Sequence, residues 1–203
     1  MKKLIRLFAA ALSISAAAAV AAQAAGESAS CAVSNGIAQN GYSVSVAVST
    51  ANSCDGYQAK LKYDTEKYTL LTADGANIKR TSDGVNLAFV EKDGKSADWT
   101  VLKFESKQPA SKNDFVFEDA RAVVHNGTTL SEITSNVFLT GDANNDDSID
   151  IIDLVRLKKV VGKVGGVEKQ PGADCNGDGE YTADDLALLR KYILGITGVS
   201  LGK

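Results

Sequence analysis

The sequence predicts two modules: an all-β sandwich, then a small all-α unit in which two acidic loops each run into a helix. Three observations carry this. Apolar residues recur with a period of two from Tyr42 to Leu139, tight-turn dipeptides separate the runs, and one acidic loop-plus-helix pattern occurs twice between Gly141 and Leu194, 32 residues apart. The boundaries that follow are 1–24 for a leader, 31–139 for the sandwich and 141–203 for the helical unit.

The leader comes first. Lys2, Lys3 and Arg6 form a positive end, Leu4 to Val20 is apolar apart from Ser13 and Ser15, and Ala22-Gln23-Ala24 has the small-x-small pattern of a cleavage site. A signal peptide is expected, with the mature chain beginning near Ala25 and the protein secreted, extracellular or held at the cell surface through a partner. The alternative, a membrane-spanning helix, suits the short Ala-rich run poorly. No cysteine follows the run to take a lipid anchor, and no later stretch approaches spanning length, so the mature form has no membrane span. Cleavage would remove three positive charges and take the formal charge from -3 to -6, which argues against a nucleic-acid partner.

Export gives the cysteines a second meaning. Cys31 and Cys54 flank the first predicted strand, and a bridge between them would close about two dozen residues for ~3 kcal/mol; pairing and reduced thiols are both open. Cys175 sits at position 2 of the second acidic loop, where a side chain points away from an ion.

In the sandwich, Val44, Val46 and Val48 alternate with small polar residues, and Tyr57, Ala59, Leu61 and Tyr63 alternate with Gln58, Lys60 and Lys62. Further runs cover 68–71, 85–90, 99–104, 115–117, 120–124 and 137–139. Asp74-Gly75, Asp83-Gly84, Asp93-Gly94 and Asn126-Gly127 supply turns. Roughly 110 residues with about eight short strands suit a sandwich rather than an α/β domain.

This module offers little chemistry. His125 is the only histidine and stands beside a turn, so neither a Ser-His-Asp set nor a zinc cluster can be built. Scattered carboxylates would allow a paired-acid glycosidase only with an aromatic cleft, for which six Phe, six Tyr and one Trp leave few residues. No enzyme is expected. Trp99, Tyr57, Tyr63 and Tyr68 would make a sugar-stacking platform if exposed, although core packing suits their strand positions better.

The acidic loops carry the functional signal. Calcium takes about six to eight oxygen ligands, drawn from loop positions 1, 3, 5, 7, 9 and 12. In the first loop these are Asp142, Asn144, Asp146, the backbone oxygen of Ser148, Asp150 and Asp153. In the second they are Asp174, Asn176, Asp178, the backbone oxygen of Glu180, Thr182 and Asp185. Two Ca2+ ions are therefore expected. Position 6, where the chain turns sharply, is Gly179 in the second loop but Asp147 in the first, so the second loop should be the better formed. Position 8 is apolar in both, Ile149 and Tyr181, which suits a contact between the loops. The helices repeat an apolar face, Leu154, Leu157 and Val161 matching Leu186, Leu189 and Ile193. Neither buries it alone, so the two should pack antiparallel. Charge repulsion between the loop carboxylates couples folding to the ion.

The repeated segments, Asp142 to Val161 and Asp174 to Leu194, resemble the two F-hand segments of a type I dockerin. No incoming helix precedes either loop, as one would in an ordinary EF-hand protein. The stretch Gly56-Tyr57-Gln58-Ala59-Lys60-Leu61-Lys62-Tyr63-Asp64, with Leu102-Lys103-Phe104 and Val137-Phe138-Leu139, resembles the strands of an immunoglobulin-like, cohesin-type sandwich. The resemblance implies calcium-dependent docking to a cohesin-bearing protein in a polysaccharide-degrading or cell-surface complex. It places partner contacts at Ile151, Ile152, Lys158, Lys159 and Lys163, and at Ala183, Asp184, Arg190, Lys191 and Gly195. These two sets match in charge along the helices and differ at the start, so one docking orientation should dominate. With only Thr140-Gly141 between the modules, Ile151 or Ile152 packing on the sandwich is the opposing reading. Rival functions are a carbohydrate-binding module and a self-associating, calcium-stabilised structural protein, including docking of one module, or a second dockerin, on the other.

Overall fold

The computed structural model describes residues 28–50, 54–90, 100–124 and 130–202. The leader, Trp99, His125 and the Asp93-Gly94 and Asn126-Gly127 turns lie outside the described residues.

Among the described residues, ten strands form two five-stranded sheets: β1 (Ser28–Ala38), β2 (Gly41–Thr50), β3 (Cys54–Lys62), β4 (Thr69–Asp74), β5 (Asn77–Thr81), β6 (Gly84–Val90), β7 (Thr100–Ser106), β8 (Val116–Val124), β9 (Leu130–Glu132) and β10 (Thr134–Leu139). One sheet runs β10-β1-β2-β7-β4 and the other β5-β6-β3-β8-β9. Every pairing is antiparallel except that of β1 with β10. Alternation selects the inner faces, as a period of two must. Val44, Val46 and Val48 of β2 and Tyr57, Ala59 and Leu61 of β3 are buried against Leu87, Phe89, Leu102 and Phe104.

Three strands, β1, β5 and β9, lie outside the runs expected from the sequence. In β1, Cys31 through Gly36 is buried without a break, because the strand is covered on both faces. Its polar residues are paired: Ser34 Oγ donates to Thr140 Oγ1 at 2.8 Å, and Asn35 exchanges two 2.8 Å bonds with the backbone of Ala110. β5 and β9 are short strands with largely exposed or half-buried residues. The runs expected at 115–117 and 120–124 are one strand, interrupted where Asp119 takes φ 51° and the register against β3 shifts.

An aromatic cluster closes one end of the core. Tyr68 and Phe115 have ring centroids 4.9 Å apart, and Phe104 lies 5.4 Å from Phe115. Tyr57, Tyr63 and Tyr68 are buried, so they form no sugar platform. The three cysteines stand as buried thiols. Cys54 Sγ donates to Thr50 Oγ1 at 3.0 Å, and burial pushes the Cys31 thiol up to about 12.

Two helices follow, α1 (Ile151–Val161) and α2 (Ala183–Ile193). They pack through fully buried Leu157 and Leu189, with Leu154, Val161, Leu186 and Ile193 half-buried around them. The chain after α2 returns to the sandwich. Ile37 N–H donates to Val199 O at 2.7 Å, Gly198 N–H to Ile37 O at 2.8 Å and Leu201 N–H to Asn35 O at 3.0 Å, adding a short strap to β1. Leu201 fills the helical core. Sandwich and helices therefore share a hydrogen-bonded boundary.

Candidate metal and docking site

The two loops share one pattern of hydrogen bonds at positions 1, 3, 5 and 12, to which the second adds Gly177 N–H donating to Asp174 Oδ1 at 2.8 Å. In the first, Asp142 Oδ1 accepts from Asp146 N–H and Oδ2 from Asp147 N–H, while Asn144 Oδ1 also accepts from Asp146 N–H and Asp146 Oδ1 from Ser148 N–H. In the second, Asp174 accepts from Asp178 and Gly179 N–H, Asn176 Oδ1 from Asp178 N–H and Asp178 Oδ1 from Glu180 N–H. Short polar side chains at every second position thus wind the backbone around their own oxygens.

Position 12 ties loop to helix. Asp153 Oδ1 accepts from Ala143 and Asn144 N–H, and Oδ2 from Asp150 N–H. Asp185 repeats this with Cys175, Asn176 and Thr182. Position 9, Asp150 or Thr182, is the helix N-cap, and each helix opens with a reciprocal capping box. Short Asp, rather than Glu, at position 12 suits a carboxylate that must close the loop and serve the first helical turn together.

Backbone handedness follows the repeat. Asn145, Asp147 and Lys163 have φ of 64°, 70° and 53°, while Gly177, Gly179 and Gly195, each 32 residues on, have 74°, 88° and 70°. Glycine holds all three left-handed positions in the second copy and none in the first. Both helices end in a Schellman motif: Lys163 N–H donates to Val160 O and Val164 N–H to Lys159 O, as Gly195 and Ile196 do to Tyr192 and Lys191.

The electrostatics suit a cation. Burial raises the Asp153 carboxyl above its usual range, and the neighbouring Asp142 charge adds to this. Burial likewise raises Asp174, with Asp185 and Asp178 adding to it. A positive ion within the loop would oppose both effects. Among the described residues no three His, Cys, Asp or Glu groups form a ready-made metal cluster. These loops instead mix carboxylate with amide, hydroxyl and backbone oxygen, a hard-donor set that fits calcium and suits neither zinc nor copper.

Ile149 and Tyr181 both lie half-buried against the helical core, and Ile149 also meets the sandwich core. Cys175 is buried in the helical core with its thiol pushed up by burial, away from any ligand role.

The expected partner-contact residues are all exposed: Ile151, Ile152, Lys158, Lys159 and Lys163 in the first copy, Ala183, Asp184, Arg190, Lys191 and Gly195 in the second. Ile151 and Ile152 are 60% and 56% exposed, so neither packs on the sandwich. Val155, also exposed, extends their apolar strip by one helical turn. Contact with the sandwich falls elsewhere, on the strap, on Tyr192 and on the first loop. Burial and the neighbouring Tyr42 push the Tyr192 hydroxyl up to about 12.

What sequence reasoning missed is the turn at Ser111–Asn113. Asp147, at position 6, accepts from Ser111 Oγ, from Lys112 N–H at 3.0 Å and from Asn113 Nδ2 at 2.6 Å. Lys112 Nζ donates to Asn145 Oδ1 at 2.7 Å and lies 3.8 Å from Asp142 Oδ2. The one available signal was Asp147 where the second copy has Gly179.

Comparison with known families matches residues 140–194 to the model described as the dockerin type I domain. That segment is a dockerin type I domain. Calcium is the ion its paired loops imply. No curated protein matches the chain. Among solved structures, a non-cellulosomal cohesin from the archaeon Archaeoglobus fulgidus is 11% identical, covering 53% of this chain and 86% of that one, with a TM-score of 0.41. A type II cohesin from Bacteroides cellulosolvens is 14% identical, covering 55% and 98%, also at 0.41. The second type II cohesin module of the scaffoldin ScaA from Acetivibrio cellulolyticus is 13% identical, covering 55% and 87%, at 0.40. The strand order of the two sheets and the apolar inner faces between them make the N-terminal module a sandwich.

Proposed function

We propose that this is a secreted, non-catalytic assembly protein whose dockerin domain plugs, with calcium, into a cohesin module on another protein of a polysaccharide-degrading or cell-surface complex. The observation that carries the reading is the shared hydrogen-bond pattern of the two loops at positions 1, 3, 5 and 12, with the apolar strip Ile151, Ile152 and Val155 left exposed beside the first. Two ions would be held by Asp142, Asn144, Asp146, Ser148 O, Asp150 and Asp153, and by Asp174, Asn176, Asp178, Glu180 O, Thr182 and Asp185. Calcium bound there offsets the carboxylate repulsion and fixes both helix starts.

The strip would anchor the partner, ringed by Lys158, Lys159 and Lys163. The second copy offers Ala183 and Asp184 there, followed by Arg190 and Lys191. The difference supports one dominant orientation. Export is supported by the composition of residues 1–24.

Titrating the full chain with a panel of cohesin modules by calorimetry, in calcium and again in chelator, tests this. Calcium-dependent saturable binding is expected; binding that survives the chelator, or none to any cohesin, overturns the reading. The strap joining the modules favours a second one, a calcium-stabilised unit in which sandwich and dockerin are partners within the chain. The two are compatible, because the internal contact leaves the helix strip open.

A further inference from the structure

We infer that the first calcium loop is shared between the two modules: Asp147 seats it on the sandwich turn Ser111–Asn113, and Lys112 acts there as a tethered counter-cation that weakens the first site relative to the second. The inference rests on the proposal that both loops take up calcium.

The asymmetry is in the chain itself. Position 6 of such a loop needs a left-handed backbone, which glycine adopts without cost and aspartate does not. Asp147 has φ 70° and Gly179 φ 88°, so both copies hold the conformation. The aspartate does something that the glycine cannot. Its carboxylate takes three donors, from Ser111 Oγ, Lys112 N–H and Asn113 Nδ2, all from one turn of the sandwich.

That turn is itself held from the core. Asp114 Oδ2 accepts from Ser111 N–H at 2.9 Å, from Tyr68 hydroxyl at 2.6 Å and from Lys67 Nζ at 2.9 Å. A continuous set of hydrogen bonds therefore runs from the aromatic core to position 6 of the first loop. Fixing the turn also fixes Lys112, whose ammonium lies 3.8 Å from Asp142 Oδ2, the position-1 carboxylate. Both side chains are largely shielded from water, so their charges are felt strongly. Without an ion the ammonium offsets the loop's negative charge; when calcium arrives it is a like charge beside the ligand shell, and affinity falls. The second loop has Gly179 in place of the anchoring aspartate, and no described lysine is paired with Asp174.

The test is a two-site calcium titration of the full chain by calorimetry. Asp178→Ala removes a second-loop ligand and leaves the first site to be read alone. Adding Lys112→Met to that variant should tighten the remaining site about three- to tenfold, while Lys112→Arg, which keeps the charge, should leave it unchanged. In the chain carrying an intact second loop, Lys112→Met should leave the tighter site unmoved. Calcium uptake that Lys112→Met does not change overturns this inference and leaves the calcium proposal standing; no uptake at either loop overturns both.

Asp147→Gly is the second arm. It removes a strained backbone position, so if the aspartate only fills the turn the melting temperature should rise. If Asp147 seats the loop, the melting temperature falls and the Lys112 amide loses protection from hydrogen exchange. A rise with unchanged protection overturns the inference.

Discussion

Lys163 and Gly195 close the two helices at the same backbone position, 32 residues apart, with φ 53° and 70°. Both are followed by the Schellman bond from C″ back to the last turn. For lysine the left-handed conformation carries a steric penalty between Cβ and the carbonyl that glycine avoids. Lys163→Gly should therefore stabilise the chain by about 0.5–1 kcal/mol, with glycine's extra entropy in the unfolded chain offsetting part of the gain. Thermal melts in saturating calcium measure it; a loss of stability would show that the Lys163 side chain makes a contact worth more than the strain.

Leu201 is fully buried among residues of both repeats, although it lies in a tail beyond the last helix. Its N–H pairs with Asn35 O, and Gly202 N–H donates to Cys175 O at 2.8 Å. Leu201→Ala should cost about 2–4 kcal/mol, the range for a leucine leaving a cavity in a packed core. Because the strap crosses from one module to the other, the loss should appear in the unfolding of both. A melt in which only the helical module is destabilised would show that the strap does not couple them.

These two residues mark what the sequence could and could not show. The helices were legible because a loop that ends in a capping Asp and runs into a 3.6-residue apolar period states its own start. The valine and tyrosine alternations were legible because β2 and β3 bury one face. β1 was missed because Ser34, Asn35 and Gly36 are buried through hydrogen bonds and a close strap, so no apolar pattern marks them. The strap was missed for the same reason in reverse: Val199 and Leu201 look like an ordinary tail until β1 lies beside them. Among the loop residues, the position-6 Asp147 looks in the sequence only like a poorer turn residue than Gly179. Its carboxylate faces Ser111, Lys112 and Asn113, more than thirty residues earlier, and only the folded chain brings them together.

Tyr68 and Asp114 give a pH-dependent test of the core. Burial alone would raise the Asp114 carboxyl, but the Tyr68 hydroxyl, Lys67 and the Ser111 amide outweigh it and hold the carboxyl below its usual value. An acid whose pKa is depressed in the folded state adds stability above its unfolded pKa, near 3.9, and loses it as pH falls through the folded value. Tyr68→Phe removes one donor and should cost about 1–2 kcal/mol at pH 7. The gap between wild type and variant should narrow as pH falls below about 4. Melting temperatures taken from pH 7 to 3 check this, and a gap independent of pH would mean that the hydroxyl acts only through packing.

Ile152 and Asp184 occupy equivalent positions in the two copies, both exposed at the first turn of a helix. If the exposed end of α1 is the anchor for a partner, Ile152→Asp should weaken docking by roughly ten- to a hundredfold, the worth of burying one such side chain. Folding should be unaffected, since the side chain is 56% exposed. Asp184→Ile, added to that variant, moves the apolar anchor to the second copy. Because the N-caps and helix ends repeat their hydrogen bonds, the moved anchor sits in the same helical frame, and part of the lost affinity should return with the partner rotated onto α2. Calorimetry reads the affinity, and cross-linking from Lys158 or Lys191 reads the orientation. Recovery without a change in cross-linked helix would mean that net charge, and not the position of the apolar anchor, decides which copy faces the partner.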